Sequence, residues 1–284
     1  FSDNGKIGGT HLQDAVVMTL GNEFSGYFEQ VKNAGQRLKG LRERLSILAL
    51  GGTAVGTGLN AHPDFAANVI SCIAKEAGIP FSETPNHFEA QGACDAAVET
   101  SGNLKTIAVS LSKIANDIRW LASGPRCGLG EINLPELQPG SSIMPGKVNP
   151  VVPESVIQVC AQVIGNDAAI TLGGHGGYFE LNTMLPLVAY NLLQSIELLA
   201  NAANLMADKC VRGITANPDK CAANIKKSLA IVTNLVPHIG YDRAAALAHK
   251  AFETNRNIEE VAIDENIMDI EGLRRVLYGK SDGS

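Results

Sequence analysis

The stretch LGNEFSGYFEQVKNAGQRLKGLRERLSIL, residues 20–48, decides the fold class. Its apolar residues Leu20, Phe24, Tyr27, Val31, Ala34, Leu38, Leu41, Leu45 and Leu48 stand alternately four and three apart. That is the period of one helix face, and it predicts a helix on the order of 40 Å long. Leu104, Ile107, Leu111, Ile114, Ile118 and Leu121 repeat the pattern. So do Leu181, Leu185, Val188, Leu192, Ile196, Leu199, Ala203 and Met206, with Pro186 expected to kink or open the start of that helix. A fourth helix is expected over about 153–166, with Pro153 in the first turn where its missing N–H costs nothing, and a shorter one over about 62–77.

Long helices with heptad-like seams pack at about 20°. No strand-like alternation stands out, so the expected class is all-α, a long-helix bundle. The helices are apolar on more than one face, which predicts burial between subunits and hence an oligomer. Glycine-rich breaks at 51–58, 124–130 and 173–177 separate them. Beyond Gly213 the helices become shorter and more polar, at about 217–229, 242–255, 258–265 and 270–278. The expected organisation is a central bundle domain over 1–213 and a small helical C-terminal domain over 214–284.

The 284 residues are 45% hydrophobic, enough for a sizeable core. Twenty-three basic against 29 acidic residues leave a net charge of −6, which argues against a nucleic-acid partner and gives no basic face for a membrane. No apolar run looks long enough to span a bilayer. The six Cys are scattered without ligand spacing, so they read as reduced, mostly buried thiols of an intracellular protein, not as a metal site. The opening Phe1-Ser2-Asp3-Asn4 is neither a methionine start nor a signal peptide, and the chain is expected to be a piece of a longer protein.

The chemistry-bearing run is Gly140-Ser141-Ser142-Ile143-Met144-Pro145-Gly146-Lys147-Val148-Asn149-Pro150. It sets two hydroxyls, a cation and an amide on one short loop ahead of a helix. Pro and Gly limit the conformations such a loop loses on ordering. A serine that removes a carbon-bound proton needs its pKa lowered, and Lys147 and the helix N-terminus are the local means. Lys147 and Asn149 suit a small carboxylate. The run is not a phosphate loop: it has one residue too many and no Ser/Thr after the Lys. Turn former, surface lysine and dipole-matched Glu154 are the bland alternatives for these residues.

This run resembles the signature of the aspartase/fumarase superfamily. Residues 10–15 (THLQDA), 51–60 (GGTAVGTGLN), 114–120 (IANDIRW), 124–132 (GPRCGLGEI) and 237–242 (PHIGYD) are similar, in order, to class II fumarase. The resemblance implies reversible hydration of fumarate to L-malate without cofactor or metal. It implies Ser141 as the base that takes the C3 proton of malate, and His11 as the group that activates water or the leaving hydroxyl. Glu154 would pair with His11, while Thr10, Ser142, Lys147, Val148 and Asn149 would hold the dicarboxylate. Donors around the carboxylate would stabilise the carbanion. It further implies a homotetramer with sites shared between subunits, no nucleic-acid or membrane partner, and a cytoplasmic location, or the mitochondrial matrix in a eukaryote.

Aspartase-like chains carry Gln where this one has His11 and Pro-Ala-Lys where it has Pro145-Gly146-Lys147, and both differences favour a fumarase over an ammonia-lyase. Residues 131–137 (EINLPEL), 149–154 (NPVVPE) and 213–217 (GITAN) have the aspartase flavour. A non-catalytic use of the fold, as in a lens crystallin, leaves the retained Ser141, Lys147, Asn149, His11 and Glu154 unexplained. Two positions depart from the family pattern: Gly9 stands where an Arg is usual, and Val17 where a Pro is. The family's Ser-Gly-Thr and Ser-Ser-Asn substrate motifs fall outside these residues, so the chain is expected to carry part of a site.

Overall fold

The computed structural model describes residues 1–138 and 143–278. In chain order these form β1 (Gly5–Thr10), β2 (Gln13–Thr19), α1 (Leu20–Leu45), β3 (Ile47–Leu48), α2 (Phe65–Ala77), β4 (Ser82–Glu83), α3 (His87–Gly92), α4 (Asp95–Leu121) and β5 (Ile132–Asn133). They continue with α5 (Val151–His175), β6 (Gly177–Tyr178), β7 (Leu181–Asn182), α6 (Leu185–Lys209), β8 (Thr215–Ala216) and α7 (Pro218–Lys227). The short α8 (Val236–Ile239) then precedes α9 (Tyr241–Glu253), α10 (Ile258–Asp264) and α11 (Ile270–Tyr278). The chain divides into two compact units. One holds Phe1–Tyr27, Trp120–Leu134 and Ile214–Ser284, and the other holds Phe28–Arg119 and Pro135–Gly213.

In the larger unit, α5 and α6 lie antiparallel. Asn166 of α5 donates to Ser195 of α6 at 3.1 Å and to Gln194 at 2.9 Å, while Gly173 faces Val188. Asp167 accepts from Ser101 at 2.8 Å and from Lys105 at 2.6 Å, both on α4. These satisfied polar groups fix the register of three helices, because a slip would strand buried donors and acceptors at a cost of about 1–3 kcal/mol each. By length and composition α5 is apolar enough to cross a membrane, which corrects the sequence expectation. Its central Asn166 and Asp167, both buried and hydrogen-bonded to neighbouring helices, fit a bundle core equally well.

α5 also runs nine residues past the expected end at Asn166. Gly173 and Gly174 do not break it. A Cβ at either would sit 2.6 Å from Val188 or 2.5 Å from Val98, so both glycines allow close helix packing. Pro186 causes no kink: α6 begins at Leu185, so the ring occupies the first turn, while Leu181 belongs to β7. Along α1 the seam splits in two. Leu20, Tyr27, Ala34 and Leu41 are buried, whereas Val31, Leu38 and Leu45 stay exposed.

The smaller unit has its core among Ile231, Leu235, Leu247, Ile258, Val261, Leu273 and Leu277, and Ile7 of β1 packs into it. α10 starts with a capping box, Asn257 and Glu260 each bonding the other's backbone N–H. The expectation of no strands needs correction for this unit: β1 and β2 form an antiparallel hairpin, and β5 pairs with β8. The two further pairings, β3–β4 and β6–β7, are two residues long. The β1–β2 hairpin passes directly into α1, where the Thr19 hydroxyl accepts the Asn22 N–H and Asn22 Oδ1 accepts the Thr19 N–H, each at 3.0 Å.

Candidate active site

Thr10 and His11 stand at the tip of the hairpin. Thr10 pairs with Gln13, which leaves His11 and Leu12 as a two-residue loop. Both have positive φ, 56° and 58°. A two-residue hairpin loop of the primed type demands this at both central positions, because only that twist matches the flanking strands. Neither residue is the Gly or Asn such a turn favours, and Leu in this region is strained. The turn therefore holds His11 outward at a cost in local energy: Thr10 and His11 are exposed, as is Leu12 at 81%. Among the described residues the His11 ring makes no hydrogen bond.

The register shifts between Ile7 and Gly9, a bulge that re-aims the tip. Its two glycines differ. A Cβ on Gly8 would meet Met18 Sδ at 2.9 Å and Val16 O at 3.2 Å, so Gly8 is required by close approach. A Cβ on Gly9 would meet only Gln13 O at 3.6 Å, and its φ suits any residue. The hairpin therefore has room for a side chain at position 9. Gly9→Ala is expected to raise stability by about 0.5–1 kcal/mol by restricting the unfolded chain, and Gly8→Val to lower it. Thermal unfolding of the two variants checks both signs.

In the other unit, Met144–Lys147 forms a type II turn. Pro145 sets the second position, Gly146 takes φ +81° at the third, and the Lys147 N–H donates to Met144 O at 3.2 Å. The turn delivers Lys147, Val148 and Asn149 to the start of α5. Lys147 Nζ donates to Asn149 Oδ1 at 2.9 Å, and both side chains are exposed. Glu154 lies in the first turn of α5, which begins two residues before the expected Pro153.

Arg119, at the end of α4, is the charged neighbour of Glu154, with Nη2 at 3.8 Å from Oε1. Another Arg119 nitrogen donates to Asn116 at 3.4 Å, and its Nε is buried without a hydrogen bond among the described residues. In the sequence Arg119 is one residue of the 114–120 motif, and periodicity only places it on the helix. The two serines, Ser141 and Ser142, lie outside the described residues. So Lys147, Asn149 and Glu154 are gathered at one helix start, while Thr10 and His11 share a hairpin in the other unit.

Among the described residues no three His, Cys, Asp or Glu side chains gather as a metal site. Four of the six thiols are buried, and burial pushes those of Cys160 and Cys210 up to about 11.

Comparison with known proteins gives a consistent result. A family model described as Lyase matches residues 1–165, and one described as Fumarase C C-terminus matches 231–278. The chain is 54% identical over 263 residues to the fumarate hydratase class II of Neisseria meningitidis, covering 93% of this chain and 57% of that protein. It is also 54% identical over 258 residues to a mitochondrial fumarate hydratase of Rhizopus oryzae, covering 91% and 52%. The crystal structure of class II fumarase from Schistosoma mansoni superposes with a TM-score of 0.90 at 39% identity, over 97% of this chain and 61% of that one. The chain thus spans little more than half the length of the curated relatives it matches. With the lyase model covering more than half of its residues, the fumarase C-terminal model following in order and the fold superposing throughout, this chain belongs to the fumarase/aspartase superfamily of lyases, among the class II fumarases.

Proposed function

We propose that the full-length protein catalyses the reversible anti addition of water to fumarate, giving L-malate. The observation that carries this reading is the presentation of His11 at a strained hairpin tip, its ring exposed and without a hydrogen bond among the described residues. Departure of hydroxide needs an acid–base partner more than departure of ammonia does, and an imidazole can both give and take a proton. In the direction of dehydration, the Ser141 oxygen takes the C3 proton and leaves an aci-carboxylate carbanion. Lys147, Asn149 and Ser142 hold the carboxylate on which charge develops, with Val148 lining the site and Thr10 contacting the substrate. His11 hands a proton to the departing hydroxyl, and Glu154 keeps it charged and oriented.

These residues come from different parts of the fold. The reading therefore includes a homotetramer in which subunits share sites. The exposed apolar ply of α1 (Val31, Leu38, Leu45) and that of α6 (Tyr190, Leu193, Ile196) supply surface for such contacts. Within this reading 1–213 is the central bundle domain and 214–284 a small helical C-terminal domain, and the enzyme works in the cytoplasm or the mitochondrial matrix.

The test is absorbance of the fumarate double bond after L-malate, and separately L-aspartate, is added to the full-length protein. Signal from malate alone is the expected result. Signal from aspartate would reassign the chain to an ammonia-lyase, and silence with both, in a folded assembly, would leave the structural use of the fold.

A further inference from the structure

Lys6 of β1 is buried, its side chain only 5% exposed, and it faces two carboxylates: Glu23 at 2.6 Å and Glu131 at 3.0 Å. Glu23 sits in the first turn of α1. Glu131 follows the 124–130 loop, and its backbone is fixed on both sides. Its N–H donates to Leu121 O and its carbonyl accepts from Asn217, each at 2.8 Å. Tyr27 donates to the second Glu23 oxygen at 3.3 Å. One ammonium therefore joins a strand, a helix and a loop that are far apart in sequence.

Stability is a poor reason for this arrangement. Two carboxylates share one ammonium, and apolar residues of the same volume would hold the segments at least as well. What the cluster supplies is direction. Hydrogen-bonded ion pairs define an angle and a distance, whereas apolar contacts tolerate sliding. Lys6 lies five residues before His11 on the strand that presents it, next to Ile7 in the core. Burial acts to lower the Lys6 pKa, and the bonds to Glu23 and Glu131 outweigh it, so its ammonium persists above the ordinary lysine range.

We propose that Lys6 is a positioning residue for the reaction: by locking β1 onto Glu23 and Glu131 it fixes the hairpin whose tip carries Thr10 and His11. The proposal rests on the fumarase reading for its catalytic consequence and on geometry alone for the anchoring.

The test uses the full-length protein and the double variant K6M/E23Q, which removes the ammonium and one carboxylate together and so keeps the formal net charge of the cluster. Amide hydrogen exchange over residues 9–14 is expected to quicken while α5 and α6 keep their protection. The kcat for malate is expected to fall about tenfold to a hundredfold, the size of effect that a small misplacement of a catalytic group produces. KM should change less, because Thr10 is the one substrate-holding residue on the hairpin while Ser142, Lys147 and Asn149 hold the carboxylate from elsewhere. An unchanged kcat, or unchanged exchange at the hairpin, overturns the proposal. Where the double variant fails to fold by circular dichroism, Glu131→Gln decides. It keeps the Lys6–Glu23 pair, should shift both readouts the same way by less, and overturns the proposal if both stay at the wild-type value. A wild type inactive toward malate defeats the fumarase reading, and the exchange measurement then decides the anchoring by itself.

Discussion

Ser141→Ala is expected to lower malate turnover by about three orders of magnitude, the middle of the range that a positioned general base contributes, while the assembly stays intact. The C3 proton of malate is weakly acidic, and removing it builds charge on the adjacent carboxylate. A serine oxygen can accept that proton only where cations and backbone donors stabilise its anionic form. Lys147 lies six residues on, delivered by the Met144–Lys147 turn to the N-terminus of the 25-residue α5, where the helix dipole favours negative charge. Alanine removes the oxygen and leaves the loop's turn residues unchanged, so KM should move little. Fumarate absorbance for kcat and KM, with sedimentation for assembly, checks the outcome. Turnover near the wild-type rate would remove Ser141 from the role of base.

His11→Asn is expected to slow turnover by about a hundredfold through loss of proton transfer, with KM close to the wild type. Asn is the informative replacement because the position has φ 56°, and Asn accepts left-handed backbone more readily than most residues. The hairpin should therefore keep its shape, which separates loss of the imidazole from loss of the turn. A rate matching the wild type would show that the hydroxyl leaves without help from His11.

The long helices were legible in the sequence because their apolar period is a property of local geometry. The stripe that starts at Leu20 is α1 as far as Leu45, with Leu48 falling in β3 instead; the one ending at Leu121 is α4, and 270–278 is α11 to the residue. The hairpin was not legible. β1 contains three glycines in six residues, β2 is exposed over most of its length, and the turn His11–Leu12 has no Asn-Gly or Asp-Gly signal. Its formation depends on Ile7 entering a core built from residues 231–277 and on Lys6 meeting Glu23 and Glu131. No window of sequence contains those partners. The end of α5 was misread for the same reason: Gly173 and Gly174 look like a break until Val188 and Val98 are placed against them.

For the site, the sequence alone determined which residue types are present and which loop carries them. Ser141, Lys147, Asn149 and Glu154 fall within fourteen positions, and adjacency in the chain is enough to group them. Only the tertiary structure decided how they are held: the type II turn that brings Lys147 onto Asn149, Arg119 beside Glu154, and the left-handed backbone that turns His11 outward. Periodicity and motif report on neighbours within a few residues, whereas the direction of a side chain is set by contacts between segments tens to hundreds of residues apart.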